Sequence, residues 1–196
     1  MDELAKIAVD AGATRAKLMD AKDVVVDKRV RLKCSVPRCY AYGSCLTCPP
    51  NIMSVKEFQE ILACYHNVLV VQVEADQNSL DRSSESLGSG ASDLFKQQLA
   101  RLGPFRLKLH DVIDKVEAEA FKQGYAYTAG FGGGRCILCG DECPGIVDNK
   151  CRHPFRARPA MEAMGIDIRK TAEKAGFSVE LSSKENIKFT GLILID

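Results

Sequence analysis

The stretch VLVVQV, residues 68–73, is the strongest candidate for a buried strand in the sequence. Six consecutive residues without a charge, four of them valine, are typical of a strand in the middle of a sheet. A helix is predicted before it, because Ser54 and Glu57 have the spacing of a capping box. The apolar residues of that helix recur on one face: Val55, Phe58, Ile61, Leu62 and Tyr65.

Further elements are predicted on both sides of this core. The sequence indicates helices at residues 3–12, 104–123 and 159–175, the last broken near Gly165, and strands at 17–26, 125–128 and 190–195. Pro104 suits a first helical turn, and Gly12 and Gly124 suit helix ends. Residues 76–92 read as a mobile loop rich in serine, glycine and acids. We therefore predict an α/β (or α+β) fold over residues 1–196, a single layered domain with helices packed on a mixed sheet.

Composition excludes several classes of partner. The 27 lysines and arginines nearly balance 26 aspartates and glutamates, so the formal charge is +1. Such a balance predicts no nucleic-acid partner, and no apolar run is long enough to predict a membrane span. Residues 1–6 carry two acids and lack the pattern of a secretion signal, so a cytoplasmic protein is expected.

Eight of the nine cysteines fall into two sets of four. The first set is Cys34, Cys39, Cys45 and Cys48, and the second is Cys136, Cys139, Cys143 and Cys151. Disulfides are typical of small secreted chains and fit an odd cysteine count poorly. In a reducing compartment, thiols gathered this closely predict two metal-binding loops, at residues 34–51 and 130–158.

The spacing favours iron–sulfur clusters over zinc. The sets read C-x4-C-x5-C-x2-C and C-x2-C-x3-C-x7-C, with one C-x2-C pair in each. A four-thiolate zinc site commonly uses two such pairs, whereas a 4Fe–4S cluster often takes several thiolates from one short loop. We expect two 4Fe–4S clusters, with zinc as the alternative. Ferredoxins with two clusters exchange a ligand between motifs, so mixed sets stay open.

Residues near the cysteines carry further expectations. The glycines of the run at residues 130–134 (GFGGG) and Gly140 would let the backbone approach a cluster. Four arginines flank the second set and would either compensate an anionic cluster or form a solvated basic face: Arg135, Arg152, Arg156 and Arg158. His153 lies beside a candidate ligand, but packing beside the loop is favoured over ligation. Cys64 is interpreted as a small buried apolar residue rather than a reactive thiol.

The chain also resembles a known family. The stretches CSVPRCYAYGSCLTCPPN (residues 34–51) and CILCGDECPG with CRHPFRARPAMEAMGIDI (residues 136–145 and 151–168) are similar to the "predicted metal-binding protein" family, a domain of unknown function frequent in anaerobes. The resemblance spans nearly the whole chain and implies cysteine-bound metal. It supplies no established reaction.

Three functions remain open from the sequence. Four protein ligands per cluster favour an electron carrier or redox subunit that passes single electrons to a redox protein partner. A cluster-dependent redox enzyme or metal-delivery protein would need an incompletely ligated cluster, for which the long interval from Cys143 to Cys151 is the candidate. A structural zinc module that mediates interactions is the third reading.

Overall fold

A computed structural model describes residues 1–75, 91–140, 142–177 and 186–196 of the chain. Its helices are α1 (Asp2–Asp10), α2 (Leu32–Ser35), α3 (Val55–Leu62), α4 (Ala91–Lys122), α5 (Gly145–Asp148) and α6 (Ile168–Lys174). Its strands are β1 (Arg15–Asp20), β2 (Asn67–Ala75), β3 (Ala129–Phe131) and β4 (Ile187–Ile195). In these described segments, no helix is both long and apolar enough to cross a membrane.

The four strands form one sheet in the order β1-β2-β4-β3. Every pairing of neighbouring strands is antiparallel, and a parallel contact occurs only as an isolated bridge between Gly132 and Ala160 among the described residues. The layered fold is therefore confirmed in its α+β form, but the sheet formed by the described strands is antiparallel, not mixed as predicted. The predicted central strand is β2, which pairs with β4 over its whole length.

Alternate residues of β2 face two different helix layers, as the period of a strand requires. Leu69, Val71 and Val73 pack with apolar residues of α1 and α4 on one face of the sheet. Val68 and Val70 pack with residues of α3 and α6 on the other face. Both faces of β2 are thus covered, which explains its uninterrupted apolar sequence.

The helix before β2 begins as predicted. The Ser54 hydroxyl accepts a hydrogen bond from the Glu57 backbone N–H (3.2 Å), and the Glu57 carboxylate accepts one from the Ser54 N–H (2.7 Å). These two bonds satisfy backbone donors that the first turn of a helix leaves free. The capping-box prediction is confirmed.

Some predicted boundaries were wrong. Helix α4 begins at Ala91, so Pro104 lies inside it and not in its first turn. A proline removes one hydrogen bond of the ladder, but the helix-forming residues before it continue the helix. Phe121, in the last turn of α4, is 68% exposed.

Other boundaries shifted by a few residues. The first strand starts at Arg15 and ends at Asp20, where a 3-10 turn replaces the predicted continuation. The strand expected at 125–128 lies instead at 129–131. The break near Gly165 is confirmed, since this residue has φ 84° and separates a 3-10 turn from α6. Of the loop predicted at 76–92, residues 76–90 lie outside the described part and 91–92 belong to α4.

Both cysteine loops follow a β-bridge to the same short segment of the chain, residues 160–166. One loop follows an isolated bridge between Val26 and Ile166, and the other follows the bridge between Gly132 and Ala160. The segment 160–166 therefore runs between the starting points of the two loops. This arrangement brings cysteines about a hundred positions apart in the sequence to the same part of the molecule.

Candidate metal centre

The first cysteine loop is folded back on itself by short-range hydrogen bonds. The backbone N–H of Cys39 bonds to the Cys34 carbonyl, and that of Cys48 bonds to the Cys45 carbonyl (both 3.1 Å). The Asn51 amide donates a second hydrogen bond to the Cys45 carbonyl (3.1 Å). These turns bury Cys45 and Cys48, whereas Cys34 and Cys39 stay partly exposed.

The second loop has its own internal framework. The Arg135 guanidinium donates to the Gly140 carbonyl (2.8 Å), which holds together the two ends of the turn that contains Cys136 and Cys139. Further along, the His153 backbone N–H donates to the Cys151 sulfur (3.3 Å). An N–H directed at a cysteine sulfur stabilises its thiolate form, which is the form that binds metal.

The two loops meet through their thiols. Cys136 of the second loop packs against the buried group that contains Cys45 and Cys48 of the first loop, and its thiol lies close to that of Cys45. Hydrogen bonds from Cys136 and then Cys48 hold the pKa of Cys45 below its usual range. The same bonds, followed by burial, raise the pKa of Cys48 and of Cys136. A thiolate at Cys45 would thus be shared between the two loops.

The remaining predicted ligands surround this contact. Cys39 and Cys143 pack against the buried group formed by Ala41, Cys45 and Cys48. Burial and then the charge of Cys39 raise the pKa of Cys34. The structure thus brings thiols of both predicted sets into one region, although the sequence placed them in separate loops.

A small cavity lies beside the contact between the loops. It measures about 20 Å³, which is room for about one water molecule. Five cysteines contribute to its walls: Cys45, Cys136, Cys139, Cys143 and Cys151. Four of these belong to the second set, and Cys45 belongs to the first.

The arginines near the second set divide into two pairs. Arg135 and Arg152 line the cavity. Arg156 instead forms ion pairs with Asp111 (2.5 Å) and Asp114 (2.6 Å) of α4, where it anchors the end of the loop. The neighbouring Arg158 also forms ion pairs with acidic residues of α4. Charge compensation at the cavity is therefore available from two of the four arginines.

Arg158 is mostly buried and pairs with Glu117 of α4. The Glu117 carboxylate also accepts a hydrogen bond from the Gly130 N–H (2.7 Å), at the start of the glycine run. Burial raises the pKa of Glu117, and the Arg158 charge opposes that shift. This side chain connects the long helix to both ends of the second loop region.

The buried polar groups that lie between α4 and the start of the second loop were not predicted from the sequence. Arg106 is 7% exposed, and its guanidinium donates to the Arg135 carbonyl, one residue before Cys136. Glu162 is half-buried as a residue, but its carboxylate is buried, which raises its pKa, and it accepts a hydrogen bond from the Gly134 N–H. The Arg106 charge favours the ionised form of Glu162. The signal that could have revealed these groups is the spacing of Arg106 and His110, which places two polar side chains on the same face of the helix.

Two glycines of the run at residues 130–134 lie close to α4. A Cβ on Gly130 would lie 2.2 Å from the Ile113 side chain, and one on Gly134 would lie 3.0 Å from the Arg106 guanidinium. Gly130 and Gly134 thus allow α4 to approach closely. The approach of the glycines to a cluster stays a prediction; of the glycines named for that role, Gly140 lines the cavity and those of the run at 130–134 do not.

The structure also locates Cys64 and His153, for which the sequence led to predictions. Cys64 is exposed at the end of α3, where its thiol donates to the Glu60 carbonyl (3.5 Å), so the interpretation as a buried apolar residue was wrong. The helix ends at Leu62, which leaves Cys64 beyond the apolar face that packs on the sheet. His153 borders the cavity beside the second loop, and packing in preference to ligation stays a prediction.

The donor chemistry fits a metal that prefers sulfur. Thiols from both loops lie together in a partly buried region, and two arginines border it. In the described ranges, no three His, Cys, Asp or Glu side chains are grouped tightly enough to hold a single metal ion. The thiols bond to one another in this arrangement, so a bound metal would replace S–H···S hydrogen bonds by sulfur–metal bonds.

Comparison with known proteins gives one match. The family model described as "Predicted metal-binding protein (DUF2284)" matches residues 17–195, which is nearly the whole chain. No curated protein and no solved structure matches the chain significantly.

Proposed function

Because the chain belongs to this family of predicted metal-binding proteins, we propose that its cysteine loops hold two 4Fe–4S clusters for electron transfer in the cytoplasm. The observation that carries the proposal is the contact between the two loops through Cys45, Cys48 and Cys136. Eight thiolates are the number that two fully ligated cubane clusters require. A fully ligated cluster has no iron free for substrate, and its chemistry is the uptake and release of one electron.

The chain offers ligands and charge for this role. The ligands would be the eight cysteines of the two sets: Cys34, Cys39, Cys45, Cys48, Cys136, Cys139, Cys143 and Cys151. Two oxidised clusters with their thiolates add about −4 to the formal charge of +1. Arg135 and Arg152 border the cavity and would stabilise the additional negative charge of a reduced cluster.

The test is metal and sulfide analysis of protein purified without oxygen. We expect about eight irons and eight acid-labile sulfides per chain, and visible absorbance that bleaches on reduction. About two zincs and no sulfide would overturn the proposal in favour of a structural zinc module.

A second measurement separates electron transfer from catalysis. An electron carrier takes up electrons reversibly, and its cluster spectra do not change when small molecules are added. A spectrum of one cluster that changes with a substrate-like molecule would instead indicate an enzyme or a metal-delivery protein. Reduction by a redox protein partner is the expected positive result.

A further inference from the structure

Cys45 occupies an unusual position for a member of the first set. Its thiol contacts Cys136 across the gap between the loops, as well as Cys48 in its own loop. The Thr47 hydroxyl lies 3.2 Å from the Cys45 sulfur and completes its surroundings. The side chain is 2% exposed, so these contacts fill most of its environment.

Cys45 differs from the other cysteines of the first set because it lines the cavity beside the second set. Cys45 lines this cavity together with all four second-set cysteines, whereas Cys34, Cys39 and Cys48 do not. Cys45 also packs with Cys48 and Ala41 in one buried group, against which Cys39 packs. Cys45 is thus the thiol of the first set that both belongs to its own loop and faces the second loop.

The backbone holds Cys45 in that position. The Asn51 amide bonds to its carbonyl (3.1 Å), and the Gly43 N–H bonds to the Pro49 carbonyl (2.8 Å), which closes the turn around it. The next residue, Leu46, reaches the second loop, since a Cβ on Gly145 would lie 2.5 Å from its Cδ1. The orientation of Cys45 toward the second set is therefore supported by contacts on either side.

We propose that Cys45 is a ligand of the second metal centre, so that the two centres share one compartment and lie next to each other. This inference rests on the proposed function in one respect, namely that the cysteines bind metal. It also assigns Cys45 to a particular metal centre, which the spacing of cysteines in the sequence cannot do. Cys136 and Cys143 pack against the buried group of Ala41, Cys45 and Cys48, so a thiol of the second set is available to the first centre in exchange.

The experiment isolates the second centre and then removes Cys45. A Cys34→Ala/Cys39→Ala background eliminates two thiols of the first centre and should retain about four irons per chain. In that background, Cys45→Ala is expected to release this iron or to shift the electron paramagnetic resonance g values of the reduced cluster. Unchanged iron content and unchanged g values would overturn the proposal.

Cys48→Ala in the same background is the matched comparison. Cys48 is equally buried and touches Cys45, but it does not line the cavity. We expect the second cluster to keep its iron and its g values. A Cys48→Ala effect as large as that of Cys45→Ala would contradict the assignment, because it would indicate general disruption of the loop.

A measurement on the unmodified protein covers variants that fail to fold. Adjacent reduced clusters are both paramagnetic, so their spectrum should show broadened or split lines from spin–spin coupling. Two independent signals without coupling would overturn the shared compartment. If the unmodified protein contains zinc and no sulfide, the proposed function fails, but zinc content of the same variants still tests Cys45. Loss of the remaining zinc on Cys45→Ala would support the assignment, and its retention would overturn it.

Discussion

The Arg106 guanidinium donates a hydrogen bond to the carbonyl of Arg135, so α4 holds the backbone immediately before Cys136. Arg106 is buried, and burial lowers its pKa. Its charge also acts on the buried Glu162 carboxylate. One side chain of the helix thus stabilises the start of the second loop and compensates a buried acid.

Replacing this side chain should destabilise the protein. We expect Arg106→Met to lower the free energy of unfolding by about 2 kcal/mol, because it leaves a carbonyl without its charged donor. Urea denaturation followed by circular dichroism measures the change. Metal retained after mild chelation should also fall, because the hydrogen bond positions the backbone at Cys136.

The control for this variant is Lys108→Met, which alters an exposed residue of the same helix. We expect a change within about 0.5 kcal/mol and unaltered metal retention. Equal losses in the two variants would contradict a specific role for Arg106.

The sequence predicted those features that depend on neighbouring residues. The capping box at Ser54, the apolar strand of residues 67–75 and the glycine break at Gly165 follow from local chemistry, and each is present. The contact of Cys45 with Cys136 joins residues about ninety positions apart, and no spacing rule relates them. The Arg106 hydrogen bond depends likewise on how closely α4 approaches the glycine run, which only the packed fold determines.

Buried His110 should make stability depend on pH. Burial lowers its pKa from 6.5, and its charged surroundings are Asp114, Arg106, Arg158 and Arg156. Below about pH 6.5 the unfolded chain binds a proton here that the folded protein does not. Stability should therefore fall as the pH drops through 6.5, by at most about 1.4 kcal/mol per pH unit from this group.

His110→Phe should flatten this dependence between pH 7.5 and 5.5, as measured by urea denaturation at each pH. Lys108→Met again serves as the control and should keep the slope of the unmodified protein. A slope that survives in His110→Phe would assign the pH dependence to other groups.

Arg152 should raise the potential of the second cluster, if clusters are bound as proposed. It lines the cavity, and a positive charge there stabilises the reduced, more negative state. We expect Arg152→Gln to lower one of the two potentials by an amount on the order of tens of millivolts. Arg169→Gln, which removes an exposed charge paired with Glu173 on α6, should shift neither potential. Redox titration of both variants decides the point, and equal shifts would exclude a local effect.

Gly145 should control the contact between the two cysteine loops. An added Cβ would lie 2.8 Å from the Lys150 carbonyl and 2.5 Å from the Leu46 side chain of the first loop. Because the carbonyl belongs to the backbone, it has little freedom to move away. We expect Gly145→Ala to cost about 1–3 kcal/mol of stability and to reduce metal retention by pushing the loops apart.

The matched control is Gly103→Ala, since a Cβ at this helical position meets nothing within 4 Å. That change should be neutral or stabilise by up to about 1 kcal/mol through helix propensity. Adding Leu46→Ala to Gly145→Ala should restore part of the metal retention, because it relieves the contact between the loops and leaves the strain at Lys150. If the double variant retained no more metal than Gly145→Ala alone, the loss would come from distortion within the second loop, and the contact with Leu46 would have no part in it.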